Sequence, residues 1–393
     1  MKKKVLLVTL LVVAIVASCF AFTACNKKGD DKGDGSKMKV AMITDYGDIT
    51  DQSFNQTTYE ACKAYCDANN IKFKYFKPTG NSTEARVTSV NTAIAEGYTI
   101  IVMPGYAFGG TIVEVAENNP EIKFVALDVA RGDLLEAKYG KEYDYNPDNP
   151  KWTYQLPSNV TSFVYQEEIS GFMAGYAAVK EGYKKLGFLG GMAVPAVIRF
   201  GYGFVQGANT AAVEMKIANE VSVNYVYGGQ FYGDSDITGA MDTWYKEKGV
   251  EVVFACGGGI FTSACEAAKK VHGKVIGVDS DQSYVINKYE DGMCVTSAMK
   301  GLAPTVKTVL QAIKDGNWKK YSGTVSNMGM VSGTDASLNY VQLPTDTWSM
   351  KNFTKADYAT LVGKIFDGTI KISDATDKMP TTTIKVTTQD NIH

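Results

Sequence analysis

The chain is poor in the residues that most often move protons. Of its 393 residues only two are histidine, His272 and His393, so a histidine-based triad has a single internal candidate. His272 falls in Val271-His272-Gly273, a turn before a strand, and reads as a surface residue. There is no G-x-S-x-G elbow, no G-x-x-x-x-G-K-[ST] phosphate loop and no H-E-x-x-H pair, which removes the common hydrolase, nucleotide-loop and zinc-protease readings. An excess of positive charge is missing as well. Forty Lys and Arg face 42 Asp and Glu, a formal net charge of -2, and no basic cluster follows the first residues, so nucleic acid is not an expected partner. Cys62 and Cys66 stand four apart on one helical face, but no second Cys/His pair sits at zinc spacing. With Cys256, Cys265 and Cys294 they read as small buried thiols. No metal and no cofactor are expected, and no catalytic residue is assigned.

What the chain does have begins at residue 1. Lys2-Lys3-Lys4 leads into an apolar run from Val5 to Ala24, which stops at Cys25 before Asn26-Lys27-Lys28-Gly29-Asp30-Asp31. Basic, apolar, small, cysteine and then polar is the order of a secretory signal whose cysteine receives a lipid. Residues 1–24 are read as the signal peptide and Cys25 as the lipidation site. Cys19 is the alternative, but cleavage there leaves Phe20-Ala21-Phe22 exposed. Residues 25–37 cannot bury enough apolar surface to fold and read as a flexible tether, which places the protein on the outer face of a cell membrane, held by a lipid anchor.

The remaining ~355 residues exceed what one hydrophobic core supports, so two lobes are expected. Short, nearly continuous apolar runs such as Lys39–Ile43, Thr99–Met103, Phe124–Asp128, Leu186–Leu189, Val252–Ala255 and Val275–Val278 alternate with helical patterns. Strands covered on both faces lose the alternating pattern, so the runs predict α/β halves with parallel sheets flanked by helices. Ser53 is expected to cap the first helix, and Arg131–Ser158, crowded with Tyr, Asp, Asn and Pro, reads as a surface excursion. The lobe boundaries are expected at 38–163 with 298–325 for the first and 164–297 for the second. Residues 326–393 form an extension packing on the lobes and ending in a polar tail.

Open α/β sheets bind ligands beyond the carboxyl ends of their strands. At those ends stand three acids, Asp45, Asp128 and Asp279, able to grip a vicinal diol. Phe54 and Asn55 occupy the first turn of a helix, and Phe200 lies in a corresponding place 146 residues on. Two aromatics from facing lobes would sandwich a flat ring; Phe204, a turn deeper, is assigned to the core. Gly257 and Gly258 follow a strand directly and allow close backbone approach. Lys300 stands where the chain crosses back between lobes, a cation placed to balance the aspartates and bond ribose oxygens.

Asp51-Gln52-Ser53-Phe54-Asn55-Gln56, Gly190-Gly191 with Pro195, Phe200, Gly203-Phe204 and Gly207, Cys256-Gly257-Gly258-Gly259, Gly277-Val278-Asp279-Ser280-Asp281-Gln282 and Ser297-Ala298-Met299-Lys300 together resemble the basic membrane protein family of PnrA-like lipoproteins. The resemblance runs from about Met38 to Gly316. It implies a two-lobed, type I, sugar-receptor-like periplasmic binding protein, a monomer that takes purine nucleosides in the inter-lobe cleft and delivers them to ABC permease subunits. It implies stacking by Phe54 and Phe200, base-edge contacts from Asp45, Asn55 and Asp128, and ribose contacts from Asp279 and Lys300 with backbone help from Gly257 or Gly258. Tyr46, the long excursion and the segment past Asn327 depart from the family pattern. A receptor for a sugar or flavin, and a ligand-sensing signalling lipoprotein, remain the alternatives. A nucleoside hydrolase using Asp45, Asp48 and Asp51 around a metal is the weaker reading.

Overall fold

The computed structural model describes residues 38–393. The signal segment, the tether and the choice between Cys25 and Cys19 lie outside them. Among the described residues no helix is long and apolar enough to cross a membrane.

Two open sheets carry the fold. The first contains β1 (Lys39–Ile43), β2 (Lys72–Phe76), β3 (Ile100–Pro104), β4 (Lys123–Leu127) and β5 (Val160–Tyr165). The second contains β6 (Lys185–Gly190), β7 (Ser222–Tyr227), β8 (Val252–Cys256), β9 (Lys274–Asp279) and β10 (Cys294–Lys300). Their spatial orders are β5-β4-β3-β1-β2 and β10-β9-β8-β6-β7, one order repeated. All pairings among these ten strands are parallel. Every residue of β3 and β8 is buried, as expected for central strands covered by helices on both faces. The edge strand β2 alternates lysine with aromatic residues and stays partly exposed, which suits a strand with one unpaired side.

The chain passes between the sheets three times. Gln166 leads from β5 into the helix Glu167–Glu181, whose neighbours belong to the second lobe. Gly301 leads from β10 into the helix Leu302–Lys314, which packs against Phe54–Ala68 of the first lobe. The third passage joins β11 (Thr324–Met328), on the outer side of β5, to β12 (Val341–Gln342), antiparallel to β10. Gln166 N donates to Met328 O at 3.0 Å and Gly301 N to Tyr340 O at 2.7 Å, so the passages are bonded side by side. Residues 298–300 complete β10 of the second sheet, and residues 164–165 complete β5 of the first. Beyond β12, Leu343, Phe353, Tyr358, Leu361 and Ile384 sink into the core of the second lobe. The chain then adds β13 (Lys385–Thr388), parallel to β7.

Arg131–Ser158 runs largely over the surface, as its composition predicts, but it is more ordered and better anchored than that composition suggests. A helix spans Arg131–Tyr139, and Tyr143, Trp152 and Tyr154 are buried. The Arg131 guanidinium donates to the carbonyls of Trp152, Tyr154 and Pro147 at 3.0, 3.2 and 3.3 Å. One cation therefore satisfies three loop carbonyls while the rings cover the first core. All five described cysteines are free and buried.

Candidate binding cleft

Close helix packing sets the position of the second lobe's aromatic. Between Glu167–Glu181 and Pro195–Glu214, a Cβ on Gly171 would lie 2.2 Å from Phe200 O, on Gly175 2.0 Å from Phe204 O, on Gly203 2.1 Å from Glu168 O, and on Gly207 2.0 Å from Phe172 O. Those contacts exclude any side chain at four places, so the glycines let the two backbones touch, with Phe200 against Gly171 and Arg199 on Glu167. Phe200 is 1% exposed, edge-on to Phe254 with ring centroids 6.0 Å apart. It is both a core residue and a cavity wall. Phe204 lies wholly in the core.

The cavity at the carboxyl ends of the two sheets has a volume of about 410 Å³, within the range of small-molecule sites. Asp45, Phe54, Asn55, Asp128, Phe200, Gly257, Gly258, Asp279 and Lys300 all line it. The strand ends match between lobes: Asp128 after β4 and Asp279 at the end of β9 both take left-handed backbone, at φ +62° and +64°. Such a conformation is costly for a residue with a Cβ and marks a side chain that must point in a set direction.

At the centre lies a buried ionic cluster. Lys300 Nζ is 2.5 Å from Asp128 Oδ2, 3.2 Å from Glu167 Oε1 and 3.9 Å from Asp279 Oδ1. Arg199 Nε donates to Glu167 Oε2 at 2.6 Å. The same ammonium lies 5.0 Å from the Phe54 ring centroid and 5.4 Å from that of Phe200, so both rings border one charge. Burial pushes Asp128 up to about 6 against the pull of Lys300, and it raises Asp279 as well. Burial also disfavours the charged forms of Lys300 and Glu167, but their partners outweigh it. The three carboxylates raise Lys300, while Arg199 and Lys300 hold Glu167 below its usual range. Three carboxylates against two cations leave one negative charge, and Asp128 Oδ1 has no hydrogen-bond partner. The cluster is an acceptor in need of donors.

Asn55 extends this pattern. Its Nδ2 donates to Asp45 Oδ1 at 3.3 Å and Asp51 Oδ2 at 3.2 Å, leaving Oδ1 buried and unpartnered. Asp45 Oδ1 also accepts the backbone N–H groups of Tyr46 and Gly47 at 2.6 and 2.7 Å. The Asp45, Asp48 and Asp51 carboxylates are spent separately: Asp48 pairs with Lys77 at 2.7 Å, and Asp51 receives the backbone of the following helix. Among the described residues no group of acids, histidines or cysteines could hold a metal ion.

The family profile described as "ABC transporter substrate-binding protein PnrA-like" matches residues 38–334. The chain belongs to that family. Its members are extracytoplasmic solute-binding proteins of ABC transporters, not enzymes, so this chain is a substrate-binding protein. It is 29% identical over 355 residues to the "ABC transporter nucleoside-binding protein BmpA" of Lactococcus lactis subsp. cremoris, covering 85% of this chain and 90% of that protein. It is 27% identical to "Basic membrane protein B" of Borreliella burgdorferi, covering 79% and 84%. Among solved structures, ABC transporter solute-binding proteins from Aeropyrum pernix and Conexibacter woesei superpose with TM-scores of 0.67 and 0.62 at 18% and 20% identity. They cover 86% of this chain in each case, and 94% and 99% of theirs. These confirm the two-lobed α/β binding-protein fold.

Several cavity residues escape the sequence reading. Arg199 lines the cavity and completes the ionic cluster together with Glu167, which is fully buried outside that lining. Tyr46, Tyr106 and Phe231 add aromatic wall, with Tyr46 and Phe231 meeting from opposite lobes at 6.4 Å. Asp133 enters on the unpredicted helix, and burial pushes its carboxyl up to about 7. Two adjacent acids opening an otherwise apolar helix, Glu167-Glu168, were the available signal for Glu167.

Proposed function

We propose that the protein captures a neutral purine nucleoside in this cleft and presents it to an ABC permease. The base lies against Phe54 and Phe200, its polar edge at Asp45, Asn55 and Asp128, and its pentose at Asp279 and Lys300 with the Gly257-Gly258 backbone. The observation that carries the reading is the acceptor surplus beside the rings: one uncompensated negative charge and unpartnered Asn55 Oδ1 and Asp128 Oδ1. That surface attracts hydroxyl and N–H donors and repels a phosphate, so it fits a nucleoside better than a nucleotide. The relative named for nucleoside binding supports the same ligand class.

We further read the protein as a monomer tethered through a lipid on Cys25, with the 25–37 segment as leash. Metabolic lipid labelling that survives Cys25→Ala sinks that anchor. Isothermal titration with inosine, guanosine, adenosine, cytidine, ribose and inosine 5′-monophosphate tests the ligand. Purine nucleosides are expected to give saturable heat and the monophosphate none; silence with every nucleoside, or binding of ribose alone, contradicts the reading.

A further inference from the structure

Ser53 directly precedes the helix Phe54–Ala68 and by local rules should cap it, yet its side chain makes no cap bond. Its Oγ donates to Asp279 Oδ2 at 2.6 Å, from one lobe to the other. The helix start is held by Asp51 instead. Asp51 Oδ1 accepts Ser53 N at 2.9 Å and Gln56 N at 3.0 Å, and Oδ2 accepts Asn55 N at 2.9 Å. A second residue thus does the capping, and the serine hydroxyl is free to span the cleft.

Its neighbour is strained for the same contact. Gln52 has φ +58°, a left-handed conformation unfavourable for any residue with a Cβ. Its carbonyl accepts from Gln282 Nε2 at 2.9 Å, and its Oε1 accepts from Tyr284 OH at 2.8 Å. Gln282 is fully buried, with Oε1 bound by Val278 N at 2.9 Å and its own N–H given to Ser297 Oγ at 3.1 Å. Its amide is therefore locked with Nε2 aimed at the opposite lobe.

We propose that Gln52 and Ser53, with Asp279, Gln282 and Tyr284, form a latch that holds the lobes shut, and that Asp279 ties the latch to ligand. One oxygen of that carboxylate meets Ser53 while the other looks toward Lys300 and the cavity. A pentose hydroxyl on the inner oxygen fixes the carboxylate in the orientation that receives Ser53, and opening strips a buried oxygen of its donor. Ser53 is thus a positioning residue, acting on ligand through Asp279. The ligand half of this inference rests on the nucleoside reading; the lobe-to-lobe contact does not.

The test is stopped-flow inosine binding to the wild type, Ser53→Ala, Tyr284→Phe and the double variant, paired with small-angle scattering with and without inosine. Because Asp51 holds the helix, Ser53→Ala should fold normally, as circular dichroism and the melting temperature will report. Its off-rate should rise about tenfold and that of Tyr284→Phe about threefold, with on-rates within about twofold of wild type. Scattering should show the double variant more open. A well-folded Ser53→Ala with unchanged off-rate and unchanged scattering overturns the latch. Should the wild type ignore inosine and the other nucleosides, the nucleoside reading fails, and scattering of the ligand-free proteins decides the latch: a more open double variant supports it, an identical one overturns it.

Discussion

The two lobes repeat one frame and load it with opposite chemistry. The strand orders coincide, Asp128 and Asp279 occupy matching left-handed positions, and Gly105 and Gly257 follow β3 and β8 with φ of +128° and +147°. At the passages between lobes the likeness ends. One carries Glu167 and the other Lys300, and the two pair at 3.2 Å. Of the matched aspartates, Asp128 is tied to the Lys300 ammonium, while Asp279 is tied to a serine of the facing lobe. A duplicated scaffold places the groups; the divergence between halves makes one cleft that holds a ligand from two unlike sides.

The harshest way to break this arrangement is Lys300→Met, which removes the cation shared by three buried carboxylates and leaves Asp128 with no cationic partner. Chemical denaturation should register a loss of about 3–5 kcal/mol, and nucleoside affinity should fall by about 100-fold or more. A stable, tight-binding Lys300→Met protein would mean that the cluster does not hold the passages together. Next comes the contrast between the matched aspartates. Asp279→Asn should weaken nucleoside binding by roughly 30-fold, since Asp279 carries both the pentose and the Ser53 bond, and Asp128→Asn by roughly 5-fold, since Glu167 still holds Lys300. Equal losses by titration calorimetry would erase the distinction between the lobes.

The smallest effect concerns pH. Asp133 ionises near its ordinary 3.8 when unfolded but near 7 in the fold, because burial penalises its charge. The folded state therefore binds the proton more tightly. The resulting stabilisation is complete below about pH 4 and fades as pH rises through about 7. Asp133→Asn keeps an acceptor for Ala130 N, now bonded at 2.7 Å, and removes the titration. Its unfolding free energy should vary less between pH 5 and 8, by an amount on the order of 2 kcal/mol, read by chemical denaturation at each pH. A slope equal to wild type would count against a buried acid there.

Much of this was legible in the sequence because apolar runs covered on both faces leave a strong signal. The ten strands shared by the two halves were expected within a few residues of where they lie. The cleft residues at strand ends were readable for a related reason: an acid, an aromatic or a glycine run directly after such a strand has few places to be. The strands added outside these ten gave no such signal. β12 has two residues, and β13, Lys385–Thr388, is polar because one side is open to solvent. The helix Arg131–Tyr139 was hidden by the Tyr, Asn and Pro that follow it, although Tyr143, Trp152 and Tyr154 in that stretch prove to be core. The Glu167-Glu168 pair marks the helix start in the sequence, but what Glu167 does there depends on Arg199 and Lys300, which only the fold brings to it. Ser53 looked like a cap, and local rules gave no reason to send its hydroxyl elsewhere.

A crystal structure of the protein soaked with or purified with inosine would test the central claim most directly. The base should lie against Phe54 and Phe200, with a donor on Asn55 Oδ1 or Asp128 Oδ1 and the pentose hydroxyls on Asp279 and Lys300. Inosine bound outside the cleft, or inside it with its pentose against Asp45 and no contact to Asp279 or Lys300, would contradict the proposed division of labour between the lobes.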